Sequence, residues 1–169
     1  PAARRLPGDD ARPGNHAASA GGLREAASVV WQEKRLRAVA GCAVAWNFGF
    51  FALAGVFVPL AAARGLAPAA IGAVLSCYGA GLILGALAAP RVLARARAEA
   101  VLVFGPASSV LGAALIAAAS RAPALAAGQF LLGFGPMLWM VARTGLLQSV
   151  TRPDQRGRVA AVMQVSVFG

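Results

Sequence analysis

Seven polar or amphipathic side chains interrupt otherwise apolar runs of this sequence: Trp46, Asn47, Tyr78, Gln129, Trp139, Arg143 and Gln148. What these residue types offer is binding, through aromatic faces, amide hydrogen bonds and one fixed positive charge. They are not a catalytic set. All six acids, Asp9, Asp10, Glu25, Glu33, Glu99 and Asp154, lie outside the runs, so no carboxylate pair is available there for acid–base work. No GxxxxGK[ST], HExxH or Ser/His/Asp set occurs. His16 is the single histidine and reads as a solvated linker residue. Cys42 and Cys77 have no neighbouring His or acid and read as small hydrophobes, with no support for a disulfide. The sequence thus predicts no enzyme, no cofactor and no metal site.

The elements that must hold these residues follow from composition. Hydrophobic residues make up 59% of the 169 and charged residues 13%, about half the charged share of an ordinary soluble domain. Mean hydropathy is +0.67. The net charge of +10 does not point to nucleic acid, because the charges fall in short clusters between long uncharged runs instead of on one solvated face. Four such runs, Ala38–Ala63, Gly65–Pro90, Ala100–Ser120 and Ala122–Ala142, each reach the roughly 20 residues a helix needs to cross a bilayer. Spans are expected at about 38–63, 66–90, 100–120 and 122–149, with a fifth over 158–169 cut off inside its helix. The fold class predicted is an all-α membrane bundle of four complete transmembrane helices plus the start of a fifth.

Arginines set the expected orientation. Stretches rich in Arg and Lys precede the first run and follow the second and fourth, while only Arg64 and Arg121 follow the first and third. That alternation puts residues 1–37 on the cytoplasmic side of the bilayer. Residues 1–22 are rich in Pro, Gly, Ala and charge and read as a flexible linker. Residues 23–37 place Leu23, Ala26, Ala27 and Val30 on one helical side, which with Trp31 and the Lys34, Arg35, Arg37 cluster suits an interfacial helix or an ordinary solvated one. In the second run Gly81 and Gly85, with Gly72 and Gly79, predict close helix packing. The third run, with Pro106, Ser108 and Ser109 but no ionisable group, is expected to be scaffold.

Two of the polar residues allow more than one reading. An arginine near the bilayer centre costs at least about 2.5 kcal/mol, but Arg143 precedes Ser149 by about 9 Å of helix, a distance a snorkelling side chain can largely cover. It is either a snorkelled anchor or a cavity-lining cation. Asn47 reads first as an interhelical hydrogen-bond donor and second as a ligand contact. The charged stretch "TRPDQRGRV" after the fourth run fits a helix start: Thr151 and Asp154 form a capping box, Pro153 lies in the first turn, and Asp154 and Arg158 pair at i,i+4.

The order of these features resembles a known family. "LLQSVTRPDQRGRVAAVMQVSVFG" looks like the junction between the tenth and eleventh helices of major facilitator superfamily transporters, in the bacterial branch of enterobactin-exporter-like and macrolide-efflux-like proteins. "GGLREAASVVWQEKRLRAVA" resembles the segment entering the seventh helix, although it lacks that segment's proline, and "IGAVLSCYGAGLILGALAAPRV" is similar to the eighth. The resemblance implies the C-terminal half of a twelve-helix transporter whose N-terminal half belongs to the same chain. It implies that Trp46, Asn47, Tyr78, Trp139, Arg143 and Gln148 are substrate-pathway candidates, and that Pro153, Asp154, Arg156, Gly157 and Arg158 form a cytoplasmic gate motif. The loop "APRVLARARAEA" departs from the family in having no aspartate beside its arginines, which leaves Arg91 and Arg95 without a gate partner there.

Two functions are compatible with this reading. One is export of a small amphipathic substrate across the bacterial inner membrane, coupled to an ion, expected to be the proton. The other is a non-transporting membrane assembly or anchoring subunit. Six further spans encoded upstream would favour the first, and a soluble domain there would remove it.

Overall fold

The computed structural model describes residues 27, 28, 30–151, 157, 159–162 and 164. Helix ends fall where the unsatisfied backbone groups of the terminal turns find partners. Glu33 is in extended geometry, and its carboxylate accepts the Arg35 N–H at 3.3 Å, so helix α1 runs Lys34–Ala63. It takes in the basic cluster ahead of the apolar run, because a cap and not apolarity decides where a helix begins. Helical residues 30–32 precede the break at Glu33. Arg37 bridges that break, donating to the Trp31 carbonyl at 3.1 Å with its guanidinium 5.8 Å from the indole centroid.

The end of α1 is a Schellman turn. Gly65, at φ +81°, donates to the Ala62 carbonyl, and Leu66 donates to that of Ala61. Any side chain at position 65 would be strained in this left-handed geometry. Helix α2 then starts at Pro68, with its fixed φ at the N-terminus, and continues through Pro90 to Arg95. Ending the span at Pro90 from sequence stops short of the helix. The lost bond is tolerated one turn before the end, and Arg95 complements the C-terminal dipole. Helix α3 spans Ala98–Ala118 and α4 spans Ala122–Val150.

Helix α4 is the centre of the assembly. It packs along its length against α2 on one side and α3 on the other, while α1 meets the others at few points. Small residues set the close approaches. A Cβ on Gly81 would run into the Phe130 carbonyl, one on Gly85 would lie 2.8 Å from the Phe134 carbonyl, and one on Gly133 would run into the carbonyl of Tyr78. Across the α3–α4 face, Gly112 and Gly128 sit against each other's carbonyls, and Gly135 sits on the Ser108 hydroxyl. Gly81 and Gly85 thus make the close packing expected of them. Gly72 and Gly79 face open space, since a helix turns only part of its small-residue stripe toward one neighbour.

Three apolar clusters close the bundle. Phe57 and Ala61 of α1 meet Ile71, Val74, Ile116, Leu125 and Leu132 at one end. Val30, Leu36 and Val39 meet Val159, Leu146 and Leu147 at the other. Ala89, Val101, Leu138 and Ala142 join α2, α3 and α4. Large apolar side chains elsewhere point outward, with Phe48 at 80% exposure, Val110 at 72% and Ile83 at 63%. In water such surface would be a liability. With four helices each long and apolar enough to cross a bilayer, it is the lipid-facing side of an all-α, multi-pass membrane bundle.

Candidate binding cavity

Helix α1 is fastened near both ends and stands away in the middle. One fastening is the cluster around Phe57 and Ala61, reinforced by Arg64. The Arg64 guanidinium donates to the carbonyls of Ile116 at 2.6 Å, Ala117 at 2.8 Å and Ala119 at 2.5 Å. Those are orphan acceptors at the C-terminus of α3, where a cation also meets the negative end of the helix dipole. The other fastening is the cluster around Leu36 and Val39. Between them lies a cavity of about 310 Å³, bounded by α1, α2, α3, α4 and Gln164 of the segment after α4.

The α1 wall is one helical face. Ala43, Trp46, Asn47 and Phe50 recur at three- and four-residue spacing. The Trp46 and Phe50 rings stack with centroids 5.0 Å apart and an interplanar angle of 11°, and Phe50 lies 5.3 Å from the Tyr78 ring on α2. Trp46 is fixed across the gap: its Nε1–H donates to Ser109 Oγ at 2.9 Å, and that hydroxyl donates to the Gly105 carbonyl at 3.2 Å. The third run is therefore more than scaffold. It places the acceptor that holds Trp46, and Gly105 and Pro106 enter the wall.

The facing wall comes from α4, through Pro136, Met137, Trp139, Met140 and Arg143. Trp139 seats against α3 where Gly105 has no side chain, since a Cβ there would collide with it. Arg143, one turn further along, lays its guanidinium over the Trp139 ring with Cζ 5.3 Å from the centroid. Helical side chains lean toward the N-terminus of their helix, so this placement carries the charge toward mid-helix and away from Ser149. A snorkelling arginine would extend the opposite way.

Asn47 does not reach another helix. Its Nδ2 donates to the Ala43 carbonyl of its own helix at 3.0 Å, because the space across from it is the cavity and no facing backbone is near enough. Its amide nonetheless remains on the wall. Five of the six pathway candidates, Trp46, Asn47, Tyr78, Trp139 and Arg143, line one space. Gln148 is exposed and outside it. Gln129 is buried at 5% exposure but off the wall. Of the gate motif, Pro153, Asp154, Arg156 and Arg158 lie outside the described residues, and Gly157 is helical and exposed. Arg91 and Arg95 are exposed, and the one ion pair among the described residues, Arg97 with Glu99 at 3.8 Å, is solvated and worth little.

Sequence reasoning passed over Phe50, Met137 and Met140, which look like lipid-facing apolar residues until the helices are rotated into place. The spacing of Trp139 and Arg143, four apart on one helix, is the signal that predicts their contact. No protein-family model, curated protein or solved structure matches this chain.

Proposed function

We propose that this chain is part of a secondary active transporter that exports a small amphipathic molecule across the bacterial inner membrane by alternating access, driven by an ion gradient and coupled to protons. The observation that carries this reading is the cavity between α1 and α4. Its aromatic and aliphatic wall, one cation and the amides of Asn47 and Gln164 form the mostly apolar pocket with few polar groups that suits a small ligand. Its volume is at the lower end of ligand pockets, about 300–1,000 Å³.

The mechanical arrangement supports the same reading. The α2–α4–α3 slab is closed by backbone-to-glycine contacts that leave no room to slide, whereas α1 is fastened at its ends and sparsely packed between them. A rigid slab beside a loosely attached helix is an arrangement in which a wall can rock to open a cavity to one side and then the other. The partner across the cavity is a second six-helix half, and the "PDQRGRV" turn belongs to the inner gate of that assembly.

The test is dye accumulation in an efflux-deficient bacterium expressing the full reading frame that carries this sequence. Lower accumulation than in the vector control, abolished by a protonophore, is the expected result. Unchanged accumulation across a panel of anionic, neutral and cationic amphiphiles would move the chain to the non-transporting class, a membrane assembly or anchoring subunit.

A further inference from the structure

We infer that the cavity selects anionic amphiphiles, small molecules with a flat apolar body and one negative group that docks on Arg143. The inference rests on the transport reading and names the charge of its substrate.

Among the described residues that line the cavity, Arg143 is the only charged one and none is an acid. Among the described residues it makes no ion pair or hydrogen bond, and its contact is with the face of Trp139. A cation–π contact offsets only part of the cost of holding a guanidinium away from water. Its planar N–H edge therefore stays available for a carboxylate, sulfonate or phosphate, which it can bind through two parallel hydrogen bonds. Asn47, across the cavity on α1, adds an amide that can donate to the same kind of group.

The aromatic residues do not turn the site into a cation cage. The face of Trp139 already holds Arg143, while Trp46 and Phe50 stack on each other. A cationic ligand would sit within a few ångströms of a fixed like charge in a weakly screened space. What the aromatic wall offers is a slot for a flat apolar body alongside Phe50 and Tyr78. The cavity of about 310 Å³ cannot enclose a whole two-chain lipid, so a free small anion is the ligand of this proposal, and a phospholipid headgroup is the alternative that the experiment separates.

The experiment uses the purified full-length protein that carries this sequence, in phosphatidylcholine nanodiscs, with tryptophan-to-pyrene energy transfer as the signal. Three probes share one body: pyrenebutyrate, pyrenebutanol and pyrenebutyltrimethylammonium. Pyrenebutyrate is expected to bind saturably and at least tenfold more tightly than the other two. Arg143→Gln should remove that preference, and Arg143→Lys should keep part of it. The lysine variant guards against misfolding of the glutamine one, and circular dichroism of both should match the parent. Equal affinities for all three probes, untouched by Arg143→Gln, would overturn the charge selectivity and leave the cavity as a binding site. Loss of pyrenebutyrate binding in discs containing phosphatidylglycerol, beyond the drop in its partitioning into protein-free discs of the same composition, would overturn the proposal in favour of a lipid headgroup. Absence of saturable binding by any probe would overturn the proposal and remove the main support for transport, which the accumulation assay tests separately.

Discussion

The two sides of the cavity are built on opposite principles. On one side, α2, α4 and α3 approach so closely that a single added carbon would strike backbone, as at Gly81, Gly133 and Gly112. On the other, α1 presents glycines 41, 49 and 55 with nothing within 4 Å of where a Cβ would stand. The glycines of α1 are therefore not packing devices, although by type they look the same as those of α2. Dense packing makes the slab a fixed wall. Sparse packing in its middle leaves α1 free to present aromatic side chains to a space, held by apolar clusters near its two ends and by polar contacts at Arg64 and Trp46.

The sharpest test of the slab's dense packing is to add a methyl group at its closed glycines and at its open ones. Gly133→Ala would set a carbon against the Tyr78 carbonyl, and Gly81→Ala against that of Phe130, neither of which can move without separating two helices. Overpacking usually costs about 1–3 kcal/mol, and backbone neighbours place these two at or above the top of that range. Gly72→Ala and Gly79→Ala meet open space and should be neutral or stabilising by up to about 1 kcal/mol, from helix propensity. Thermal unfolding in detergent micelles, followed by circular dichroism, separates the pairs. Equal losses from all four would mean that the glycines of α2 act through something other than contact with α4.

How much of this was legible in the sequence depends on whether a feature is local to one helix. The four spans, the Gly81–Gly85 contact stripe and the Trp139–Arg143 pair follow from run length and spacing along a single chain segment. Which face of α1 meets the cavity does not, because every apolar face of a membrane helix looks alike when lipid and protein interior are equally apolar. Phe48 and Phe50, two apart in sequence, illustrate this: Phe50 stacks into the aromatic wall, whereas Phe48 is 80% exposed and off the wall. Ser109 as the acceptor for Trp46, and the α3 carbonyls as acceptors for Arg64, are set by helix–helix rotation across more than fifty residues of chain.

Arg64 offers the next cut. Arg64→Gln removes a guanidinium that serves three carbonyls at the end of α3. Hydrogen bonds involving a charged group contribute about 1.5–3 kcal/mol each when buried, but these are partly exposed to water. A total loss of about 1–2 kcal/mol is expected, concentrated on α1. Hydrogen exchange should show faster opening of residues 57–66 with little change in 122–150. Uniform acceleration across all four helices would show that α1 unfolds with the slab and is not the separately held element its packing describes.

The smallest expected effect is the most specific to the cavity. Ser109→Ala deletes the acceptor for the Trp46 Nε1–H and adds no bulk. Hydrogen bonds between membrane helices average about 0.6 kcal/mol, so the melting temperature should barely move. The indole, however, would lose the contact that fixes its rotation beside Phe50, and a ligand that stacks on that wall would have to order it on binding. A modest weakening of pyrenebutyrate affinity, about twofold to threefold, is expected with the preference for the anion over pyrenebutanol intact, because Arg143 and not Trp46 reads the charge. Loss of the charge preference in Ser109→Ala would instead couple the two walls. The cavity would then be a single network spanning α1, α3 and α4, and α1 could not move without disturbing the cation on α4.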